Sequence, residues 1–204
     1  MMVEVFFLDI NLPKGQVKTK DQYRLQHIYA YSLLMCIIEI RYNLHLKKTN
    51  IRKTSFGKPY INCKGLSINF NISHSGNMIA IAISDSKIGI DIEVLKPIKF
   101  DLTSYDGFFT SKELKAIIES KNRNKAFFVL WTQKEAAVKY SGIGLKGFNK
   151  NHIIAKTMFI DSFFLKGIGH EEYAVSVVCK KNNVLKKYQC NFSCIEKYIK
   201  HFIE

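Results

Sequence analysis

Apolar positions recur at period two in short runs and at period 3.6 in longer ones, and the alternation between these two patterns divides the chain into elements. Val3 to Ile10 has the β-branched and aromatic content of a strand, closed by the turn residues Leu12-Pro13-Lys14-Gly15. From Asp21 to about Tyr42, Leu25, Ile28, Leu33, Met35, Ile37 and Ile38 recur at helical spacing, which predicts a long helix. Ser55 to Ile61 reads as a turn-rich link. Leu66 to Ile72, Met78 to Ser84 and Ile88 to Glu93 read as three short strands, most simply a meander. Thr110 and Glu113 have capping-box spacing and open a helix through Leu114, Ile117 and Ile118. A second helix is expected from about Lys125 to Tyr140, with Gly142, Gly144 and Gly147 closing it, and the tail offers strands at Ile153 to Ile160, Tyr173 to Cys179 and Leu185 to Phe192.

The order strand, helix, strands is thus followed by helices and strands again, which is an α+β pattern. The segment from His74 to Ala82 faintly echoes that from His170 to Val177. The echo is compatible with two related halves, 1–100 and 101–204, divided near Pro97 to Ser104, and with a site between them.

The 204 residues include 31 Lys+Arg against 17 Asp+Glu, a formal net charge of +14. Such a charge favours anionic partners, among them nucleic acid, a phosphorylated cofactor or an acidic protein. The richest apolar stretch, Ala30 to Ile40, is about half the roughly 20 residues of a membrane span and contains Glu39, so no membrane association is expected. The opening MMVEVFFLDI places Glu4 and Asp9 inside its apolar run and does not read as a signal peptide, so a cytoplasmic protein is expected. Cys36, Cys63, Cys179, Cys190 and Cys194 form no CxxC pair and read as reduced, packed thiols rather than a zinc site. Any metal should therefore be held by oxygen.

Three segments carry candidate chemistry. In Gly89-Ile90-Asp91-Ile92-Glu93, period two sets Asp91 and Glu93 side by side on one strand face, opposite Ile90 and Ile92. Paired acids suit a hard cation such as Mg²⁺; the alternative is a strand end with both acids solvated or paired to lysines. Trp131, Glu135 and Lys139, four residues apart, share one helix face with Phe127 and Phe128 a turn back, as a site or as an ordinary i,i+4 surface pair. Lys134 points elsewhere and reads as solvated or as the partner of an acid. Asn71 to Gly76 reads as a polar turn in which His74 lies between two hydroxyls, either donating to a phosphate or locally hydrogen-bonded. No GxSxG elbow or Asp-His-Ser order marks Ser73 or Ser75 as a nucleophile.

The ordered set FGKPYI, FNISHSG, IGIDIE, FFTSKEL and the W-x-x-K-E-A helix ending in Lys139 resembles the 4′-phosphopantetheinyl transferases of the Sfp-type, single-chain branch, from about Asp21 to Leu145. The tail fits more loosely. The resemblance implies two similar α+β halves related by a pseudo-twofold axis, with coenzyme A and Mg²⁺ in the cleft between them. It implies transfer of phosphopantetheine to a serine of an acidic apo carrier protein, with release of adenosine 3′,5′-bisphosphate. By the same resemblance Asp91, Glu93 and Glu135 ligate Mg²⁺, Glu135 takes the serine proton directly or through a metal-bound water, and Lys139 stabilises charge on the departing phosphate. Lys58 and His74 hold coenzyme A phosphates with Arg24 and Ser73 in support. Glu113 falls where a further acid or base is sometimes placed, although its capping-box position is reason enough for a glutamate.

The run between the first strand and the first helix is shorter than is usual in the family, leaving Lys14, Lys18 and Lys20 as substitutes for basic residues at the nucleotide end. A Mg²⁺-dependent nuclease or phosphodiesterase, and a carrier-binding module without chemistry, are the alternatives. A nucleic-acid partner is not expected, because no groove-reading, RNP or zinc-finger motif is present. With both halves in one chain, a monomer is expected.

Overall fold

The computed structural model describes residues 2–10, 19–63, 68–98, 105, 107–144, 158–180 and 184–203. In chain order these form β1 (Met2–Asp9), α1 (Thr19–Tyr42), β2 (Ile51–Lys53), β3 (Pro59–Ile61), β4 (Asn69–Ser75), β5 (Met78–Ser84), β6 (Ile88–Val94), α2 (Ser111–Glu119), α3 (Arg123–Ser141), β7 (Met158–Lys166), β8 (Glu172–Lys180), β9 (Val184–Cys190) and α4 (Glu196–Ile203). One sheet has the order β4-β5-β1-β9, a second β6-β8-β7, and β2 pairs with β3.

The alternation within β5 explains how the two larger sheets stack. Ile79, Ile81 and Ile83 point into a core shared with Leu33, Leu34 and Ile38 of α1. Met78, Ala80 and Ala82 point the other way, against Ile88, Ile90 and Ile92 of β6 and Val175 and Val177 of β8. The small alanines let the sheets approach. On the outer face of the second sheet, Ala174 and Val178 of β8 join separate apolar clusters with Phe127, Phe128, Ala136 and Ala137 of α3. The layers are therefore helix, sheet, sheet, helix.

The two sheets repeat one plan, as the α+β expectation of two similar halves requires: a central strand antiparallel to both neighbours, β4-β5-β1 in one and β7-β8-β6 in the other. The boundary near residue 100 does not follow the sheets, since β6 belongs to the second and β9 pairs in parallel with β1 in the first. Residues 99–104 of that boundary lie outside the described residues.

Three expectations are corrected. The meander breaks after β5, because the backbone partner of β6 is β8 rather than β5. The link at Ser55 to Ile61 ends in β3, which forms a short hairpin with β2. The polar segment from Asn71 is strand through Ser75, with the turn confined to Gly76 and Asn77. In the tail, β7 extends to Lys166, while residues 153–157, Leu66, Lys14, Lys18 and Gly147 lie outside the described residues. Helix α4 was not anticipated; it packs Tyr198 into the core beside α1, together with Ile195 just before it.

The capping box is present as expected: the Glu113 amide donates to the Thr110 hydroxyl (3.3 Å), and the Thr110 amide donates to Glu113 Oε2 (2.7 Å). Gly142, at φ 78°, ends α3 in the left-handed conformation that glycine adopts without a Cβ clash. All five cysteines are free thiols. No helix among the described residues is long and apolar enough to cross a membrane.

Candidate active site

Among the described residues no strand pairs with the outer edge of β6, and side chains of β4 take that place. Asn71, Ser73 and Ser75, on one face of β4 by period two, accept hydrogen bonds from the amides of Ile90 (2.8 Å), Ile92 (3.3 Å) and Val94 (3.1 Å). This ladder of side chains stitches the two sheets together and satisfies buried amides that would otherwise be costly. It also brings hydroxyls to the carboxylates. Ser73 Oγ donates to Asp91 Oδ1 (2.9 Å) and Ser75 Oγ donates to Glu93 Oε2 (2.7 Å).

Asp91 and Glu93 alternate with Ile90 and Ile92, so they point to the face covered by α3. The helix lies very close at this point. A Cβ on Gly89 would stand 2.1 Å from the Ala136 carbonyl oxygen and 2.5 Å from the Tyr140 nitrogen, so only glycine fits. One turn on, Lys139 Nζ donates to Asp91 Oδ1 (2.7 Å) and to Ser73 Oγ (2.8 Å). Ser73 thus uses its one proton on Asp91 and accepts from both Lys139 and Ile92.

Asp91 is only 4% exposed, and its Oδ2 has no hydrogen-bond partner among the described residues. Burial pushes Glu93 above the usual carboxylate range; the Asp91 charge adds to this, while the Ser75 hydroxyl and Lys139 oppose it. Glu135 is likewise raised by burial and by Asp91 and Glu93, with Lys139 opposing. Three acids and one ammonium therefore share a single electrostatic environment. Among the described residues, no three His, Cys, Asp or Glu side chains stand in a metal-holding arrangement. The unpartnered, buried Asp91 Oδ2 beside two further carboxylates is nonetheless a donor set suited to a hard divalent cation.

A cavity of about 270 Å³ opens beside this cluster, lined among others by Phe56, Lys58, Asn71, Glu135 and Lys139. Lys58 Nζ donates to the carbonyls of Lys139 (2.7 Å) and Ile88 (3.1 Å), and so ties the β2–β3 hairpin to α3 and β6. Burial and the nearby Lys87 pull its pKa down to about 8. His74 alternates to the α1 side of β4, near Tyr23, with ring centroids 6.5 Å apart. Its pKa is lowered by burial, then by Lys139 and His27.

Two expected residues lie apart from the cluster. Glu113 spends Oε2 on its capping box and on Lys134 (2.9 Å), a lysine that is 8% exposed and so is the partner of an acid rather than solvated. Burial alone would raise Glu113, but the Thr110 amide, Lys134 and the Thr110 hydroxyl together hold it below the usual range. Arg24 is exposed and lines a different cavity, of about 380 Å³, with His27, Tyr31, Lys48, Lys53 and Phe202. Trp131 stacks on Phe108 (centroids 4.2 Å apart) and Phe127 in an aromatic cluster rather than on the acids. Asn71, Ser75 and Gly89 are additional site-forming residues; the signal for the first two was the polar alternation Asn71-x-Ser73-x-Ser75.

Residues 87–191 match the family model of the 4′-phosphopantetheinyl transferase superfamily. The chain is 36% identical over 151 residues to the 4′-phosphopantetheinyl transferase gsp of Aneurinibacillus migulanus, covering 68% of this chain and 60% of that protein. It is 31% identical over 147 residues to the enzyme ffp of Bacillus subtilis, covering 71% of this chain and 58% of that protein. To the Sfp enzyme of Bacillus subtilis strain 168 it is 32% identical over 115 residues, covering 55% and 50%. The chain thus spans little more than half the length of these relatives. With the two-sheet plan and the IGIDIE and W-x-x-K-E-A segments converging on one cluster, the chain belongs to the 4′-phosphopantetheinyl transferase superfamily and is of the Sfp type.

Proposed function

We propose that this chain transfers the phosphopantetheine arm of coenzyme A to a serine hydroxyl of an apo carrier protein and releases adenosine 3′,5′-bisphosphate. The observation that carries the reading is the buried Asp91, held by Ser73 and Lys139 and flanked by the proton-attracting Glu93 and Glu135. In the reaction the serine oxygen bonds to the phosphorus that bears the pantetheine, and the bond from that phosphorus to the bridging oxygen breaks. The serine proton passes to Glu135, the carboxylate that α3 brings to the cavity beside Lys139. Lys139 uses two of its three donors on Asp91 and Ser73 and keeps one for the phosphate that departs.

Asp91, Glu93 and Glu135 would hold Mg²⁺, which when bound would neutralise the diphosphate. Lys58 borders the cavity beside the acids and would meet a phosphate of coenzyme A after exchanging a backbone carbonyl for it, and His74, on the α1 side of β4 beside Tyr23, would meet another. Arg24 with Lys48, Lys53 and His27 offers a basic surface for the nucleotide end. The +14 charge favours an acidic carrier. We assign Glu113 to the helix cap rather than to the reacting groups. A cytoplasmic monomer that binds neither nucleic acid nor membrane is part of this proposal.

Intact-mass spectrometry of a panel of apo carrier proteins, incubated with the protein, coenzyme A and Mg²⁺ with EDTA controls, tests it. The expected result is a mass gain of one phosphopantetheine arm that EDTA abolishes. No gain on any carrier, with coenzyme A bound, would leave a carrier-binding module without chemistry; metal-dependent cleavage of DNA or RNA would replace the transferase by a nuclease.

A further inference from the structure

The β4–β5 turn that follows Ser73 and Ser75 is gripped from two sides. From α1, the Gln26 side-chain amide donates to the Gly76 carbonyl at 2.7 Å, and Gln22, one turn earlier, reaches the same oxygen at 3.5 Å. From the second sheet, the Tyr173 hydroxyl accepts from the Asn77 amide at 3.3 Å and would stand 3.1 Å from a Cβ at Gly76. Gly76 itself has φ 56°, so the turn is built for a residue without a side chain.

Gln26 is 3% exposed, and its Oε1 has no partner among the described residues. A buried amide that makes one of its bonds and forgoes another is a poor choice for stability alone, where an apolar side chain of the same size avoids the unsatisfied oxygen. What Gln26 does achieve is to fix the end of β4. The hydroxyls of Ser73 and Ser75 must reach two things at once, the Ile92 and Val94 amides and the Asp91 and Glu93 carboxylates. A strand end free to shift by an ångström would lose both sets.

We propose that Gln26 is a positioning residue for the candidate active site: its amide holds the Gly76 carbonyl, the turn holds Ser73 and Ser75, and the serines aim Asp91 and Glu93. The catalytic readout of this inference rests on the transferase reading; the structural readout does not.

The test uses the full chain with Gln26→Leu and Gln26→Glu. In Gln26→Leu the cooperative melt is retained, kcat for phosphopantetheine transfer falls by about 10- to 100-fold as expected for displaced groups, and KM for coenzyme A changes by less than about threefold. Hydrogen exchange at the Ile92 and Val94 amides accelerates by about tenfold while core amides of β5 keep their rates. Gln26→Glu is as poor at neutral pH, where its carboxylate faces a carbonyl, but its rate relative to wild type recovers as acid restores a donor. Wild-type kcat in both variants would overturn the proposal, as would exchange that rises uniformly through the core, which marks general destabilisation. If the wild-type chain transfers nothing to any carrier, the transferase reading fails by itself. The exchange rates at Ile92 and Val94 then decide the clamp.

Discussion

The two helix-covered sheets differ most where β1 meets α1 and β6 meets α3. The outward positions of β1, Phe6 and Leu8, join Leu34, Ile37 and Ile38 of α1 in one apolar cluster. The outward positions of β6 are Gly89, Asp91 and Glu93, and the helix above them presents Glu135 and Lys139. A fully buried leucine contributes roughly 1.5–3 kcal/mol. Asp91 leaves one buried oxygen unpaired, a cost of about 1–3 kcal/mol. The outer strand edges differ in the same sense. That of β1 is closed by seven residue pairs with β9, that of β6 by three side chains of β4. The interface of the first sheet with α1 is therefore packed for stability, whereas that of the second sheet with α3 gives up stability to keep charge beside the seam between the sheets.

Making the second interface resemble the first should break function and spare the fold. Asp91→Leu is expected to abolish transfer, with a rate at least about 10³-fold below wild type, while Tm stays level or rises, because Lys139 is exposed enough to turn to solvent. A melt and a transfer assay on the same sample check this; residual turnover above a tenth of wild type would refute the role of Asp91. Gly89→Ala attacks the spacing instead of the charge. With Ala136 and Tyr140 backbone atoms inside 3 Å of the new methyl, α3 must lift, and a loss of about 1–3 kcal/mol in denaturant unfolding, accompanied by reduced kcat, is expected.

The same contrast governs what was legible in the chain. Apolar periodicity placed β1, α1, β5, β6, α2 and α3 well, because each buries a regular stripe or run. Its failures are physical. A buried α1 from Tyr31 to Ile38 needs cover on two sides, and that second cover is α4, where the spacing of Tyr198, Ile199 and Phe202, with Ile195 just before the helix, carried the signal. The departure of β6 from its hairpin neighbour is not encoded in β6 itself. It follows from polar residues at every second position of β4, which satisfy backbone amides with side chains. Asp91 and Glu93 were correctly set on one face by period two, whereas only the fold reveals that Lys139 reaches Asp91 while Glu113 does not join them.

Glu113→Ala should show the smaller effect of a residue outside the seam. Loss of the cap and of the buried Lys134 partner is expected to destabilise by about 1–3 kcal/mol, with kcat per folded molecule within about twofold of wild type. A large kcat loss at unchanged stability would restore Glu113 to the reacting groups.

The finest test of the contrast is pH. Glu93 and Glu135 have raised pKa values in the folded chain, so folding favours their protonated forms. The stability they contribute is fully present below their unfolded pKa, near 4.5, and is lost as pH rises through the folded values. Replacing both by glutamine removes that loss. The double variant is therefore expected to melt a few degrees above wild type at pH 7, with the gap closing by about pH 4. Adding Mg²⁺ at pH 7 should raise wild-type Tm and leave the double variant unmoved, since a cation that binds only the folded acids stabilises only the chain that has them. Equal Tm values at pH 7, or a gap that persists in acid, would mean that these carboxylates do not strain the second interface and that its polarity carries no stability cost of the kind inferred from Asp91.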